Sequence, residues 1–152
     1  MQIRRSGDSG AAGRVHQKHG RPRVLVVEDN VALGKLMADA LATDGIDTSV
    51  AGSPAHALVL CAEAGPFAVV LLDWWLGQST GRDFAMAYRL MVGPAAPIVV
   101  VTGEDDVVAA AVEIGAAGFL RKPFDLDELC DMVGRFAKGH SAASLAAPAT
   151  TN

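Results

Sequence analysis

Four apolar runs in this sequence each lead into a residue that can do chemistry. Arg23-Val-Leu-Val-Val27 runs into Glu28-Asp29, Phe67-Ala-Val-Val-Leu-Leu into Asp73, Pro97-Ile-Val-Val-Val into Thr102, and Gly118-Phe-Leu-Arg121 into Lys122. Alone, an Asp after a strand reads as a turn residue or a helix N-cap. As an ordered set the residues read differently. Three carboxylates brought close together raise one another's pKa unless a cation is present. Oxygen ligands that leave room for retained water suit Mg²⁺, which then bridges phosphate oxygens. A Lys adds a mobile positive charge and a Thr adds a hydroxyl donor. Carboxylate nucleophile, Mg²⁺, ammonium and hydroxyl together make a phosphoryl-transfer site, in which catalysis is mostly positioning and charge neutralisation. Asp73, at the end of the most hydrophobic run, is the candidate nucleophile.

These residues must be positioned by a sheet. Short continuous runs of Val, Ile and Leu read as strands buried on both faces, the mark of a parallel sheet covered by helices. Between the runs the apolar residues recur at helical spacing. Leu33, Leu36, Met37, Ala40 and Leu41 predict a helix over about 31–44, closed by Gly45. A short strand over 46–50 follows, then Ser53 as N-cap with Pro54 at the first helical position, and a helix to about Ala64 closed by Gly65. Phe84, Tyr88 and Met91 mark the next helix, stopped by Gly93 and Pro94. Glu104-Asp105-Asp106 is expected on the first turn of another, with Val108, Ala111 and Ile114 as its inner face. Asp125 and Glu128 are placed as a capping box for a last helix to about Lys138, with Leu126, Leu129, Val133 and Phe136 inward.

Five strands alternating with five helices imply an α/β fold, a doubly wound parallel sheet with right-handed crossovers. If the order is 2-1-3-4-5, the switch point falls between the strands that lead to Asp29 and Asp73, and both carboxylates meet at one crevice. Thr102 and Lys122 then end the two strands beside them.

The bulk of the chain agrees with this picture. With 152 residues, 51% hydrophobic and 5% aromatic, it suits one domain with an aliphatic core. The net charge of −4 hides an asymmetry: residues 1–23 hold six Lys/Arg against one Asp, the remainder seven against sixteen acids. The expected organisation is a disordered basic arm over 1–22, a domain over 23–138 and a loose tail over 139–152. The acidic body argues against nucleic acid as the main partner. Cys61 and Cys130 form no CxxC pair and read as small buried hydrophobes in a reducing compartment. Residues 1–20 lack the apolar run of a signal peptide, and no window has the ~18 apolar residues of a membrane span. The expected location is cytoplasmic, with no membrane partner.

With these residues in place, the sequence resembles the receiver domain of two-component response regulators, the CheY-like family with its flavodoxin-like fold. The resemblance covers residues 23–138. It rests on Glu28-Asp29 after strand one, Asp73 after strand three with Gly81 eight residues on, Thr102-Gly103 after strand four and Lys122-Pro123 after strand five. It implies that Asp73 accepts phosphate from a phosphohistidine on a sensor histidine kinase or a phosphotransfer protein. It implies Mg²⁺ held directly by Asp29 and Asp73, by Glu28 through water, and by the Trp75 backbone carbonyl. By the same resemblance Lys122 contacts the phosphoryl group, Thr102 moves toward it, and Phe119 turns inward to fill the space left, which switches a protein-interaction surface. Trp75 and Glu104, two residues after the nucleophile and two after the hydroxyl, flank the phosphoryl group and bear on its lifetime. The only catalysis implied is the module's own phosphorylation and dephosphorylation.

Some residues depart from the family pattern. Gly77 stands where most members carry Pro, which predicts a more mobile loop. Trp74-Trp75 is unusual as a pair, open to a role in core cover, partner contact or a lid. Nothing of the length of an output domain follows residue 138, so the expected output is an unknown partner protein. The rival reading is a Mg²⁺-dependent phosphatase resembling the haloacid dehalogenases. Those enzymes need a second Asp two residues after the nucleophile, where this chain has Trp75. A flavin or nucleotide carrier lacks its GxGxxG or Walker A loop.

Overall fold

The computed structural model describes residues 20–92, 96–105 and 107–142. Most of the arm, Gly93 and Pro94, Asp106 and the tail from 143 lie outside the described residues. The elements in order are β1 (Arg23–Val27), α1 (Val31–Thr43), β2 (Asp47–Ala51), α2 (Pro54–Ala64), β3 (Val69–Asp73), β4 (Trp75–Leu76), β5 (Ser79–Thr80), α3 (Gly81–Val92), β6 (Ile98–Thr102), α4 (Val107–Glu113), β7 (Gly118–Arg121) and α5 (Leu126–Ala142).

The main sheet runs β2-β1-β3-β6-β7, all parallel. With the β4–β5 hairpin set aside, this is the expected order 2-1-3-4-5. The switch falls between β1 and β3.

The continuous apolar strands divide their side chains by the two-residue period of the pleat. Leu25, Val27, Val70, Leu72, Ile98 and Val100 point to one face, where Ala57 of α2, Phe84 and Tyr88 of α3 and Ala111 of α4 pack on them. Val24, Val26, Val69, Leu71, Val99 and Val101 point to the other, against Met37 and Leu41 of α1 and Leu129 and Val133 of α5. Each strand therefore feeds two cores, which is why its sequence shows no alternation. On α3, Tyr88 stacks on Phe84 at 5.3 Å between ring centroids and its hydroxyl accepts from the Ala96 N–H.

Helix starts follow local chemistry. Asn30 caps α1, its Oδ1 accepting from the Leu33 N–H at 3.0 Å, and Ser53 caps α2 through the His56 N–H at 3.1 Å. At Asp125 the bond formed is main-chain, from the Leu129 N–H to its carbonyl. The last helix runs to Ala142, past Lys138, because Gly139 lies within a helix that the following Ala and Ser residues can continue. Glu104 and Asp105 lie before α4, which begins at Val107. Asp105 sits in a turn and pairs with Arg121 of β7 instead. Leu36, Met91 and Val108, expected inward, are 50%, 46% and 38% exposed, each at the border of its helix's apolar stripe.

Candidate phosphoryl-transfer site

The site lies at the carboxyl ends of β1, β3, β6 and β7. Glu28 and Asp29 follow β1, Asp73 ends β3, Thr102 ends β6, and Lys122 follows β7. Glu28, Asp73 and Thr102 are buried at 3%, 6% and 3% exposure, while Asp29 is exposed. One oxygen from each of Glu28, Asp29 and Asp73 falls within 4.8 Å of the others. Lys122 Nζ stands 3.1 Å from Glu28 Oε2 and 3.3 Å from Asp73 Oδ2, bridging the two buried acids.

The backbone completes the positioning. Asp73 Oδ1 accepts from the Trp75 N–H at 3.2 Å, Glu28 Oε1 from the Asn30 N–H at 3.2 Å, and Asp29 Oδ2 from the Gly77 N–H at 3.2 Å. Thr102 Oγ1 accepts from the Glu104 N–H at 3.2 Å, which leaves its hydroxyl hydrogen available to an incoming oxygen. The Lys122 N–H donates to the Thr102 carbonyl at 2.7 Å, and the Lys122–Pro123 peptide is cis.

The charges are not balanced. Burial pushes the Glu28 carboxyl above its ordinary range and the nearby Asp73 carboxylate adds to this, with Lys122 only partly offsetting both. Burial pulls the Lys122 ammonium down, but its bonds to Glu28 and Asp73 outweigh that and leave it raised. One ammonium, on Glu28 and Asp73, serves two buried carboxylates with a third within 4.8 Å of them, so the site is short of positive charge. A hard divalent cation bound by oxygen fits that donor set.

The structure brings together Glu28, Asp29, Asp73 and Lys122, with Thr102 on the strand beside Asp73. Phe119 is set apart: it lies on β7 in register with Val100 and is 40% exposed, outside the core. Glu104 is exposed, with only its backbone tied to Thr102. The Trp pair splits, Trp74 buried in the core at 7% and Trp75 half exposed at 48%.

Sequence reasoning missed the loop after Asp73. Trp75–Leu76 and Ser79–Thr80 form an antiparallel two-residue hairpin, with Gly77 at φ +65° as the first turn residue. That turn requires a positive φ there, so Gly77 fits the hairpin, and its N–H donates to Asp29. Gly81 has an equally local reason. A Cβ there would come within 3.0 Å of the Asp73 carbonyl oxygen and 3.1 Å of Leu72 Cγ. A side chain there would force its neighbours to give way, so glycine lets α3 start close to the Asp73 backbone without strain.

The response regulator receiver domain family matches residues 24–134. The DNA-binding response regulator MtrA of Mycobacterium tuberculosis strain H37Rv is 36% identical over 111 residues, 72% of this chain and 47% of that protein. A putative NtrX-like response regulator of Rickettsia felis is 29% identical over 115 residues, 74% of this chain and 24% of that protein. The chain thus spans less than half the length of these curated relatives. The expectation of no nucleic-acid partner finds no support in them, since MtrA is named as DNA-binding. Among solved structures, the signal receiver domain of a LuxO repressor protein from Vibrio parahaemolyticus superposes with a TM-score of 0.73 at 25% identity, covering 82% of this chain and 96% of that one. The NtrX receiver domain from Brucella abortus gives 0.69 at 29% identity, covering 76% and 98%. No described helix is long and apolar enough to cross a membrane. By sequence, fold and the acids gathered at its strand ends, the chain belongs to the response regulator receiver domain family, the phosphoacceptor modules of two-component signalling.

Proposed function

We propose that Asp73 is the phosphoacceptor of this receiver and that the donor is a phosphohistidine on a sensor kinase or a phosphotransfer protein. The observation that carries the reading is the Lys122 ammonium bridging Glu28 and Asp73 beside an open cluster of three carboxylates. An Asp73 oxygen attacks phosphorus, the P–N bond breaks as the P–O bond forms, and the donor imidazole keeps the electron pair and takes a proton. Lys122 follows the new negative charge, since its ammonium already contacts the nucleophile. Thr102 donates its free hydroxyl hydrogen to a phosphoryl oxygen.

Asp29 and Asp73, Glu28 through water and the Trp75 carbonyl would hold Mg²⁺, which supplies charge neutralisation at the phosphoryl oxygens. The switch follows from charge. Phosphorylation adds acceptor oxygens that draw Thr102 and Lys122, and Phe119 leaves its half-exposed position on β7 for the space vacated. The output is a changed interaction surface around β6, α4 and β7.

The test is incubation with a small phosphodonor and Mg²⁺, scoring acid-labile phosphate by mass. One phosphate should appear on the wild type and none on Asp73→Asn. Equal labelling of both would place the nucleophile elsewhere and overturn the assignment.

A further inference from the structure

The described chain enters the fold at a fixed point. The Asp47 N–H donates to the Pro22 carbonyl at 3.0 Å, and Arg21 pairs with Asp47 at 3.8 Å. Beside that entry a groove of about 720 Å³ opens between α5 and the end of α1, and Pro22 itself lines it. Ile46, Cys130 and Ala137 give the groove apolar surface, while Asp44, Asp131 and Arg135 give it charge. An adjoining hollow of about 550 Å³ shares Asp44 and Asp131 and adds Asp127. Across the two, three carboxylates stand against one guanidinium. The Cys130 thiol registers the imbalance: burial pushes it up, and Asp44, Asp127 and Asp131 push it further. There is also room, since a Cβ built on Gly134, in the groove's lining, would meet nothing within 4 Å.

The segment that leads into Pro22 has the matching chemistry. Residues 1–19 carry Arg4, Arg5, Arg14 and Lys18 against Asp8 alone, while the body is acidic. Arg14 and Lys18 flank Val15, which pairs two cations with one apolar side chain. Six residue steps lead from Arg14 to Gly20, a reach of up to ~20 Å at ~3.3 Å per residue. A ligand tethered this closely is present at an effective concentration of the order of millimolar, so weak pairs are enough to seat it.

We propose that the Arg14–Lys18 segment of this chain docks in its own α1–α5 groove, with its cations on Asp44 and Asp131 and Val15 on the apolar lining. These ion pairs make the docking salt-sensitive, at a surface separate from the acidic cluster at the strand ends. The inference stands whether or not Asp73 accepts phosphate.

The test places a nitroxide on the full-length chain at Gln17→Cys, with Cys61→Ala and Cys130→Ala removing the native thiols, and reads amide signal loss by NMR. The amides of residues 44, 46, 131 and 134 should lose intensity selectively. They should recover at ~1 M salt, where the screening length falls to ~3 Å. Asp44→Asn with Asp131→Asn should also restore them while the spectrum stays dispersed. Mixing labelled chains with isotope-enriched unlabelled ones should leave the latter's signals intact. Loss spread evenly over the surface, loss that survives the paired Asp substitutions, or loss on the unlabelled copies would each overturn intramolecular docking. So would loss centred on the exposed edge of β2.

Discussion

The central strand β3 and the edge strand β7 contribute the two ends of one ion pair, Asp73 and Lys122, yet they are built in opposite ways. β3 is paired on both sides, by β1 and β6, and all five of its residues are buried. Among the described residues β7 is paired only with β6, and its residues alternate from half-buried Gly118 to exposed Phe119, buried Leu120 and exposed Arg121. Asp73 thus ends a strand held on both sides, and Lys122 follows one held on a single side. A change of charge at Asp73 finds its freedom to respond at the edge. Breaking or sharpening that contrast needs perturbations of graded size.

The largest effect should come from the floor. Leu71→Ala removes a side chain only 1% exposed in the core under α1 and α5 and should cost ~2–5 kcal/mol. Phe119→Ala, on a side chain already 40% exposed, should fall well below that range. Urea unfolding midpoints decide, and equal costs would show that β7 is as firmly packed as β3.

The next effect concerns how long a phosphoryl group on Asp73 survives. Hydrolysis needs water in line with the scissile bond, and Trp75 follows the nucleophile by two residues with its N–H on Asp73 Oδ1. A small polar side chain there would admit and orient that water, whereas an indole excludes it and offers one donor. Lost water positioning worth ~1.4–2.8 kcal/mol corresponds to roughly 10- to 100-fold in rate. The wild-type phosphoprotein should therefore be long-lived, and Trp75→Asn should shorten its lifetime several-fold at fixed Mg²⁺. Glu104, exposed on the other flank beyond Thr102, should matter less. Identical decay after donor removal would mean that the half-exposed indole leaves the water path open.

A smaller, pH-linked effect falls on Glu28. Glu28 has its folded pKa raised above 4.5, so the folded state holds its proton more tightly than the unfolded state does. The metal-free protein should then lose stability as pH rises from 4.5 through the folded value, the reverse of an acid whose pKa is lowered by folding. Glu28→Gln should remove that slope and raise metal-free stability at neutral pH while weakening Mg²⁺ binding, which requires ionised carboxylates. Thermal melts across pH, with and without Mg²⁺, check it. A wild-type curve that rises over this window in the metal-free protein would contradict the raised pKa.

The same contrast explains what could be read from the sequence. Strands such as β3 and β6 announce themselves, since burial on both faces demands an unbroken run of Val, Ile and Leu, and their ends fix Asp73 and Thr102. Edges and loops do not. Glu104-Asp105-Asp106 has the composition of a helix start, but the pull of Arg121 on Asp105 belongs to a contact across the sheet edge that no local pattern encodes. The β4–β5 hairpin is too short for any periodicity, so the bond from Gly77 to Asp29 and the parting of Trp74 from Trp75 stayed hidden. Gly81 was legible as part of a motif, but its reason, the approach to the Asp73 carbonyl, is visible only in three dimensions.

The smallest effect compares two neighbours on the edge. Arg121 pairs with Asp105, and both side chains are largely in water, 57% and 77% exposed. Lys122 pairs with Glu28 and Asp73, whose side chains are 2% and 8% exposed. Exposed pairs are worth ~0.2–1 kcal/mol and are screened by salt, because solvent already solvates both partners well. Arg121→Gln should therefore lower stability by less than ~1 kcal/mol in dilute buffer. That difference should fade at ~1 M salt, where charges more than ~3 Å apart are screened. Lys122→Gln leaves two buried acids without their cation, an imbalance that salt in the bulk reaches poorly, so its effect should persist there. Paired unfolding curves at low and high salt read both. If the Arg121 effect resists salt while the Lys122 effect vanishes, the firmly built end of this edge is the Asp105 contact, and the route from Asp73 to β7 lies through the loop before α4.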